Sequence, residues 1–168
     1  MSRLVRTLEP ELAGTGISPL NLVSGFLMRT SARNALRGTI TAIAQDAITA
    51  DVAVEIAPDT TVHALVTNES VRELGLVAGR QAVVLIKAPF VIIAPGSERP
   101  RTSMRNCLGG IVDRCEISAV NAEVVLDIGG GRTIAATITA HSAKAMGLEA
   151  GRPALALFEA AHVIIAID

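Results

Sequence analysis

The stretch Thr30-Ser31-Ala32-Arg33-Asn34 opens a block of sequence that the chain repeats. Its second copy is Thr102-Ser103-Met104-Arg105-Asn106, and the same offset of 72 positions carries the residues that follow onto one another without a gap. From position 31 to 94, 25 of the 64 residues are identical to the residue 72 positions later. Agreement of this extent at one fixed offset indicates a tandem duplication. The sequence therefore predicts two similar modules.

The duplication divides the chain into four parts. Residues 1–30 form a lead-in, with a short helix predicted from about 19 to 28 because Ser18-Pro19 is a typical helix start. The first module covers 31–95, a polar linker 96–102, and the second module 103–168. Modules of this size bury only about 60% of the surface that the unfolded chain exposes. We therefore expect the two modules to lean on each other or on a second chain.

Each module has a pattern of short strands. The apolar residues are mostly Val, Ile, Leu and Ala, which alternate with polar residues as strands do. The strands predicted for the first module are Gly38–Ala44, Ala50–Ile56, Thr61–Val66, Gln81–Lys87 and Val91–Ala94. The last of these is expected to complete its own module. Five strands with one small helix before the fourth predict a mainly β fold of two tandem OB-like barrels, preceded by the helical lead-in.

The small helix of each module has a start and a stop signal. Thr67 can accept a hydrogen bond as the N-cap residue, and Gly75 can end the helix in a left-handed conformation. The second copy, from Thr139 to Gly147, keeps the Thr, the Ser and the Gly. A helix of about two turns is predicted in both modules.

Composition excludes several classes of function. The net charge is -1 and the basic residues are scattered, which is unlike a nucleic-acid binder. No apolar run is long enough to span a membrane, and no secretory leader follows Met1, so we predict a cytoplasmic protein. His63, His141 and His162 fall at unrelated repeat positions, so no metal-ligand set is predicted.

Two segments of the first module are suited to holding an oxyanion. Ser31-Ala32-Arg33 offers a hydroxyl group, backbone N–H groups and a guanidinium fork in consecutive residues. Thr67 and Ser70 offer hydroxyl groups at the positive end of the short helix. Lys87 ends an apolar strand and adds a second positive charge, which with Arg33 would balance a dianion.

Each of these residues also has an ordinary structural interpretation. Hydroxyl residues at a helix start are commonly caps. An isolated arginine is commonly solvated or paired within the fold, and a lysine at a strand end commonly faces solvent. The residues alone leave both interpretations open. No acid–base pair or nucleophile motif points to an enzyme.

The motifs together resemble one known family. Thr30–Asn34 with Gly38-Thr39-Ile40, Thr67–Ser70, Leu74-Gly75-Leu76 and Leu85–Pro89 look like the molbindin (Mop or TOBE) family of molybdate-binding modules. The tandem arrangement is similar to double-module molbindins and to the C-terminal effector half of molybdate-responsive transcriptional regulators of the ModE type. The lead-in resembles the join in the regulators, which favours the regulator half.

The resemblance implies a molybdate or tungstate pocket at a subunit interface. One chain would supply the first part of the ligand set and a second chain the rest, in a homodimer or alternatively a trimer. The implied residues are Ser31, Ala32, Arg33 and Lys87 from one chain, with Thr67 and Ser70 from the other. It implies no catalytic residue, no organic cofactor and no metal other than molybdenum within the oxyanion.

The second copy differs at the position of the lysine. Glu159 replaces Lys87, which places a negative charge where an anion would bind. We therefore expect the second module to bind molybdate weakly or not at all. As a sensor, the chain would reach DNA through a domain absent from these 168 residues, because a lead-in of 30 residues is too short for a winged helix-turn-helix. The alternative is a cytoplasmic molybdate storage or transfer protein.

Overall fold

The computed structural model describes residues 30–167, and the two repeats form the same elements in the same order. The predicted helix at 19–28 lies outside the described residues. The first repeat contains β1 (Asn34–Gln45), β2 (Thr49–Ala57), β3 (Thr60–Thr67), α1 (Asn68–Leu74), β4 (Gln81–Ile86), a 3₁₀ helix (Ala88–Phe90) and β5 (Ile92–Pro95). The second contains β6 (Asn106–Ile117), β7 (Asn121–Gly129), β8 (Arg132–Thr139), α2 (Ala140–Ala145), β9 (Pro153–Phe158), a 3₁₀ helix (Ala160–His162) and β10 (Ile164–Ala166).

These strands form two curled antiparallel sheets of five strands each. The orders are β10-β4-β1-β2-β3 and β5-β9-β6-β7-β8. A register shift between Ile40 and Ala42 in β1, repeated between Val112 and Arg114 in β6, marks a bulge in the longest strand of each sheet. Bulges increase local twist, which helps these sheets to curl. The predicted mainly β fold of two small barrel-like modules is confirmed.

The fifth strand of each repeat joins the sheet of the other repeat. Ile92 of β5 pairs with Leu157 of β9, and Ile164 of β10 pairs with Leu85 of β4. The expectation that the strand at 91–94 completes its own module was therefore wrong. Alternation of side chains predicts a strand, but it is the same whichever sheet the strand joins. The residue bounds assigned to the two modules and the linker stay a prediction.

Two buried asparagines tie the repeats together. The side chain of Asn34 accepts from the backbone N–H of Ala135 at 2.7 Å and donates to its carbonyl oxygen at 2.9 Å. Asn106 makes the same pair of bonds to His63, at 2.7 Å and 2.8 Å. Ala135 and His63 are equivalent repeat positions. The two copies are therefore related by an approximate twofold axis.

The same axis passes near the two 3₁₀ helices. The rings of Phe90 and His162, which are equivalent repeat positions, stack with their centroids 4.4 Å apart. Apolar residues of both repeats form one continuous core, and its largest fully buried side chains include Leu36, Leu126 and Phe158. The two repeats thus share their main core as well as exchanged strands.

The short helix of the first module forms as predicted. The Thr67 hydroxyl accepts from the backbone N–H of Ser70 at 3.1 Å, which makes Thr67 the N-cap. Gly75 ends α1 with a φ of 60°. In the second module Thr139 caps α2 in the same way, with Ser142 as its donor. No helix within residues 30–167 is long and apolar enough to cross a membrane.

Candidate oxyanion-binding site

Strand register brings Arg33 and Lys87 to the same end of one sheet. Asn34, the first residue of β1, lies opposite Ile86, the last residue of β4. Arg33 and Lys87 are the next residues outward on these two strands, and both are exposed. Ser31 lies two residues before Arg33 and is also exposed. The structure therefore places Ser31, Arg33 and Lys87 at the same end of this sheet, and their role as anion ligands stays a prediction.

Local contacts orient two members of this group. The Ala32 N–H donates to the Thr30 hydroxyl at 3.1 Å, so an anion that binds this amide would have to replace that hydroxyl group. The Lys87 amine lies 6.0 Å from the centroid of the Phe90 ring, at the outer limit of a cation–π contact. Lys87 also directly precedes the 3₁₀ helix that begins at Ala88, so this turn of the chain fixes the position of the Lys87 backbone.

Arg33 is paired with a carboxylate of the second module. Its Nη2 atom donates to Glu123 Oε1 at 2.8 Å. The same oxygen accepts from Nη2 of Arg114 at 2.7 Å. Arg114 is the more enclosed of the two arginines, with 19% of its side chain exposed against 44% for Arg33. Arg33 thus belongs to a cluster of two arginines that share one glutamate oxygen.

The second copy of the motif has a related cluster with a different charge. Arg105 Nη2 lies 3.5 Å from Asp51 Oδ2, and Asp51 Oδ1 lies 2.9 Å from Nδ1 of His63. Glu159 takes the place of the lysine, just before the second 3₁₀ helix. Arg105 therefore has two carboxylates near its strand end. A dianion would meet net repulsion there, which is consistent with the predicted weak second site.

The structure does not bring Thr67 and Ser70 to Arg33. Thr67 pairs with Thr49 at the start of β2, beside the far end of β1. The 12 residues of β1 correspond to roughly 40 Å of strand path at about 3.3 Å per residue. Within one chain the Thr67 and Ser70 hydroxyl groups, 2.9 Å from each other, therefore lie near the opposite end of β1 from Arg33. That Thr67 and Ser70 bind an anion held by Arg33 of a second chain stays a prediction.

The equivalent hydroxyl pair of the second module lies on the Arg33 side of the molecule. Glu123 on β7 is opposite Thr137 on β8, and Thr139 follows two residues later. The Thr139 and Ser142 hydroxyl groups lie 2.8 Å apart at the start of α2. A largely apolar groove of about 480 Å³ separates α2 from the corner at Pro89. The Arg33 end of the first module therefore faces the second module.

Sequence reasoning missed Glu123 and Arg114, the two other members of the cluster that contains Arg33. A signal for Glu123 was present, because its repeat equivalent, Asp51, is also acidic. No comparable signal marks Arg114, whose equivalent is Ala42. Within residues 30–167 no group of three or more His, Cys, Asp or Glu residues is arranged to hold a metal ion.

Comparisons with known proteins agree with these features. The protein-family model of the TOBE domain matches residues 30–93 and again 102–165. The molybdenum-pterin-binding protein MopA of Rhodobacter capsulatus is 43% identical over 148 residues, which are 88% of this chain and 56% of MopA. The DNA-binding transcriptional dual regulator ModE of Escherichia coli K12 is 36% identical over 150 residues, 89% of this chain and 56% of ModE. The chain thus spans little more than half the length of these relatives.

A solved structure matches over its whole length. The crystal structure of the cytoplasmic molybdate-binding protein ModG with molybdate bound superimposes with a TM-score of 0.80 at 38% identity. The match covers 84% of this chain and 100% of ModG. Because the family match recurs at both copies of the repeat, the chain belongs to the TOBE domain family, of which it carries two tandem domains.

Proposed function

We propose that the chain binds molybdate or tungstate at the end of β1 and β4 in its first module. One observation carries this proposal: strand register sets Arg33 and Lys87 at adjacent positions beyond the ends of β1 and β4, so that two positive charges could face one tetrahedral dianion. Ser31 and the Ala32 N–H supply further donors on the same segment. Molybdate is the anion named for ModG, which shares this fold at 38% identity.

The role that we propose is storage or transfer of the oxyanion in the cytoplasm. Support comes from ModG, a cytoplasmic molybdate-binding protein whose entire chain is matched by the two modules described here. A role of this kind requires a binding site and no further domain. The relatives named above are binding or regulatory proteins, and we assign no catalytic residue.

A sensor role in transcription is the second candidate. It is favoured by the 36% identity to the Escherichia coli regulator ModE and by the resemblance of the lead-in to the join in such regulators. The anion would then bias one arrangement of the assembly over another. DNA would be contacted by a domain other than these two modules.

The complete site requires a second chain in this proposal. Within one chain Thr67 and Ser70 lie near the opposite end of β1 from Arg33, so they would contribute to the Arg33 site of a neighbouring copy. A homodimer satisfies this requirement, and a trimer is the alternative. Native mass spectrometry distinguishes the dimer from the trimer and counts the bound anions, which we expect at one per chain.

Calorimetric titration with molybdate tests the proposed site. The chain has two lysines, Lys87 and Lys144, and both are exposed. Lys87→Ala removes one of the two positive charges proposed to attract the anion. We therefore expect binding to weaken by about tenfold or more, a loss of about 1.4 kcal/mol or more. Lys144→Ala is the matched control and should bind like the wild type. Equal losses from the two variants, or no molybdate binding by the wild type, would contradict the proposal.

A further inference from the structure

One glutamate oxygen lies between the two arginines of the Arg33 cluster. Glu123 Oε1 is 2.8 Å from Nη2 of Arg33 and 2.7 Å from Nη2 of Arg114. The Glu123 side chain is 30% exposed. The two arginines come from different modules, so this single atom joins the end of the first module's motif to the sheet of the second module.

A carboxylate in this position conflicts with a dianion bound to Arg33. A guanidinium has five N–H donors, so it can contact two acceptors at once. The two acceptors would nevertheless be like charges a few ångströms apart, in a partly enclosed place where solvent screens them incompletely. An oxyanion at Arg33 therefore either displaces the carboxylate or binds less tightly because the carboxylate stays.

Arg114 gives the displaced carboxylate a second partner. It holds the same oxygen as Arg33 does, at a slightly shorter distance, and its side chain is less exposed. The Glu123 carboxylate can thus leave Arg33 without losing its charge-assisted hydrogen bond to Arg114. Oε1 of Glu116 lies 3.3 Å from Nε of Arg114, which places a second carboxylate beside the same guanidinium.

The other copy of the motif lacks this second arginine. Asp51, the repeat equivalent of Glu123, contacts Arg105 at 3.5 Å and His63 at 2.9 Å. The position of Arg114 is occupied there by Ala42. Asp51, which contacts Arg105 and His63, therefore provides a matched control for Glu123.

We propose that Glu123 sets the affinity of the first module for its oxyanion by competing for Arg33, and that the bound anion shifts the carboxylate onto Arg114. The proposal rests on the proposed function, and it adds a residue of the second module to the binding site of the first. It also gives the tandem arrangement a role, because the residue that modulates the anion site belongs to the other repeat.

The first test is molybdate titration of Glu123→Gln, which keeps the size of the side chain and removes its charge. We expect binding about five- to tenfold tighter than in the wild type, since a like charge next to the dianion is removed. Asp51→Asn should leave the affinity of the first site within about twofold. Thermal denaturation checks that Glu123→Gln is folded. If it is not, Glu123→Ala serves the same comparison.

The second test is a double-mutant cycle with Arg114→Ala, which isolates the coupling between the two side chains. The single Arg114→Ala variant is expected to bind molybdate more weakly, because the carboxylate then has Arg33 as its remaining arginine partner. In the Glu123→Gln background the same substitution should change affinity by less than about twofold. A loss of the same size in both backgrounds would overturn the transfer to Arg114.

A positioning role for Glu123 predicts the opposite sign. If the carboxylate served to hold Arg33 in place for the anion, Glu123→Gln would weaken binding, and that result would overturn the proposal. Unchanged affinity in Glu123→Gln would overturn it as well. If the wild type itself failed to bind molybdate and tungstate, the proposed function would fail and this inference with it. If the wild type binds the anion but Glu123→Gln does not bind it more tightly, the inference fails and the proposed function stands.

Discussion

At the scale of single residues, Lys87 and Glu159 give the two copies of the site opposite charges. They occupy equivalent repeat positions, each just before a 3₁₀ helix. The first copy therefore sets a lysine beside Arg33, and the second sets a carboxylate beside Arg105. This difference in charge favours anion binding in the first module.

Reversing the charge at position 159 should create a second site. In Glu159→Lys the second copy regains the lysine that the first copy has, so we expect about two molybdate ions per chain in place of one. The gain in second-site affinity should be about tenfold or more, because a repulsive charge becomes an attractive one. Calorimetric stoichiometry measures this change.

Glu149→Lys is the control, since it makes the same charge change on an exposed side chain elsewhere in the second module. A stoichiometry that rises equally in both variants would mean that overall charge, not the local site, controls binding. No rise in Glu159→Lys would mean that another feature of the second copy prevents binding.

The candidate site was predictable in part from the residues. The proximity of Arg33 and Lys87 could be predicted, because each lies just beyond the end of a strand and the two strands pair with each other. The pairing of Arg33 with Glu123 did not follow, because the two residues are 90 positions apart and no local pattern specifies which carboxylate an exposed arginine meets. Their contact depends on how the two modules pack.

At the scale of elements, strand alternation and helix caps predicted most of the module. The main error was the start of β1, which begins at Asn34 and not at Gly38. The polar Asn34 looks unsuited to a buried strand, yet it is 1% exposed. Its amide is satisfied by the backbone of Ala135, a partner that the local sequence does not reveal.

Asn34→Ala should destabilise the protein by about 2–4 kcal/mol, because it leaves a buried N–H and a buried carbonyl group of Ala135 without partners. Urea denaturation of the variant and the wild type measures the difference in the free energy of unfolding. Gln81→Ala removes an exposed side-chain bond to Thr39 and should change stability by less than about 0.5 kcal/mol. Similar values for the two variants would contradict the bridging role of Asn34.

At the scale of the whole molecule, the exchanged strands make the two repeats one folding unit. β5 completes the sheet of the second repeat and β10 that of the first, over a continuous apolar core. The duplication predicted two modules and their approximate equivalence. It did not predict the exchange, because similar repeats offer each fifth strand two nearly equivalent sheets.

The protein should therefore unfold in one cooperative transition. Leu36 in the first repeat and Leu108 in the second are both buried, so each Leu→Ala change is expected to cost about 2–5 kcal/mol and to move the entire transition. Differential scanning calorimetry makes the comparison, with the exposed Val77→Ala as the control. Two resolved transitions, with each variant shifting its own, would show that the repeats unfold independently.

We propose that anion binding belongs to the first copy of the repeated motif. Calorimetric titration of molybdate into Arg33→Ala and Arg105→Ala tests it most directly, because the two arginines are equivalent repeat positions. We expect Arg33→Ala to lose at least about tenfold in affinity, while Arg105→Ala keeps one site per chain at nearly wild-type affinity. Equal losses from the two substitutions would contradict the claim.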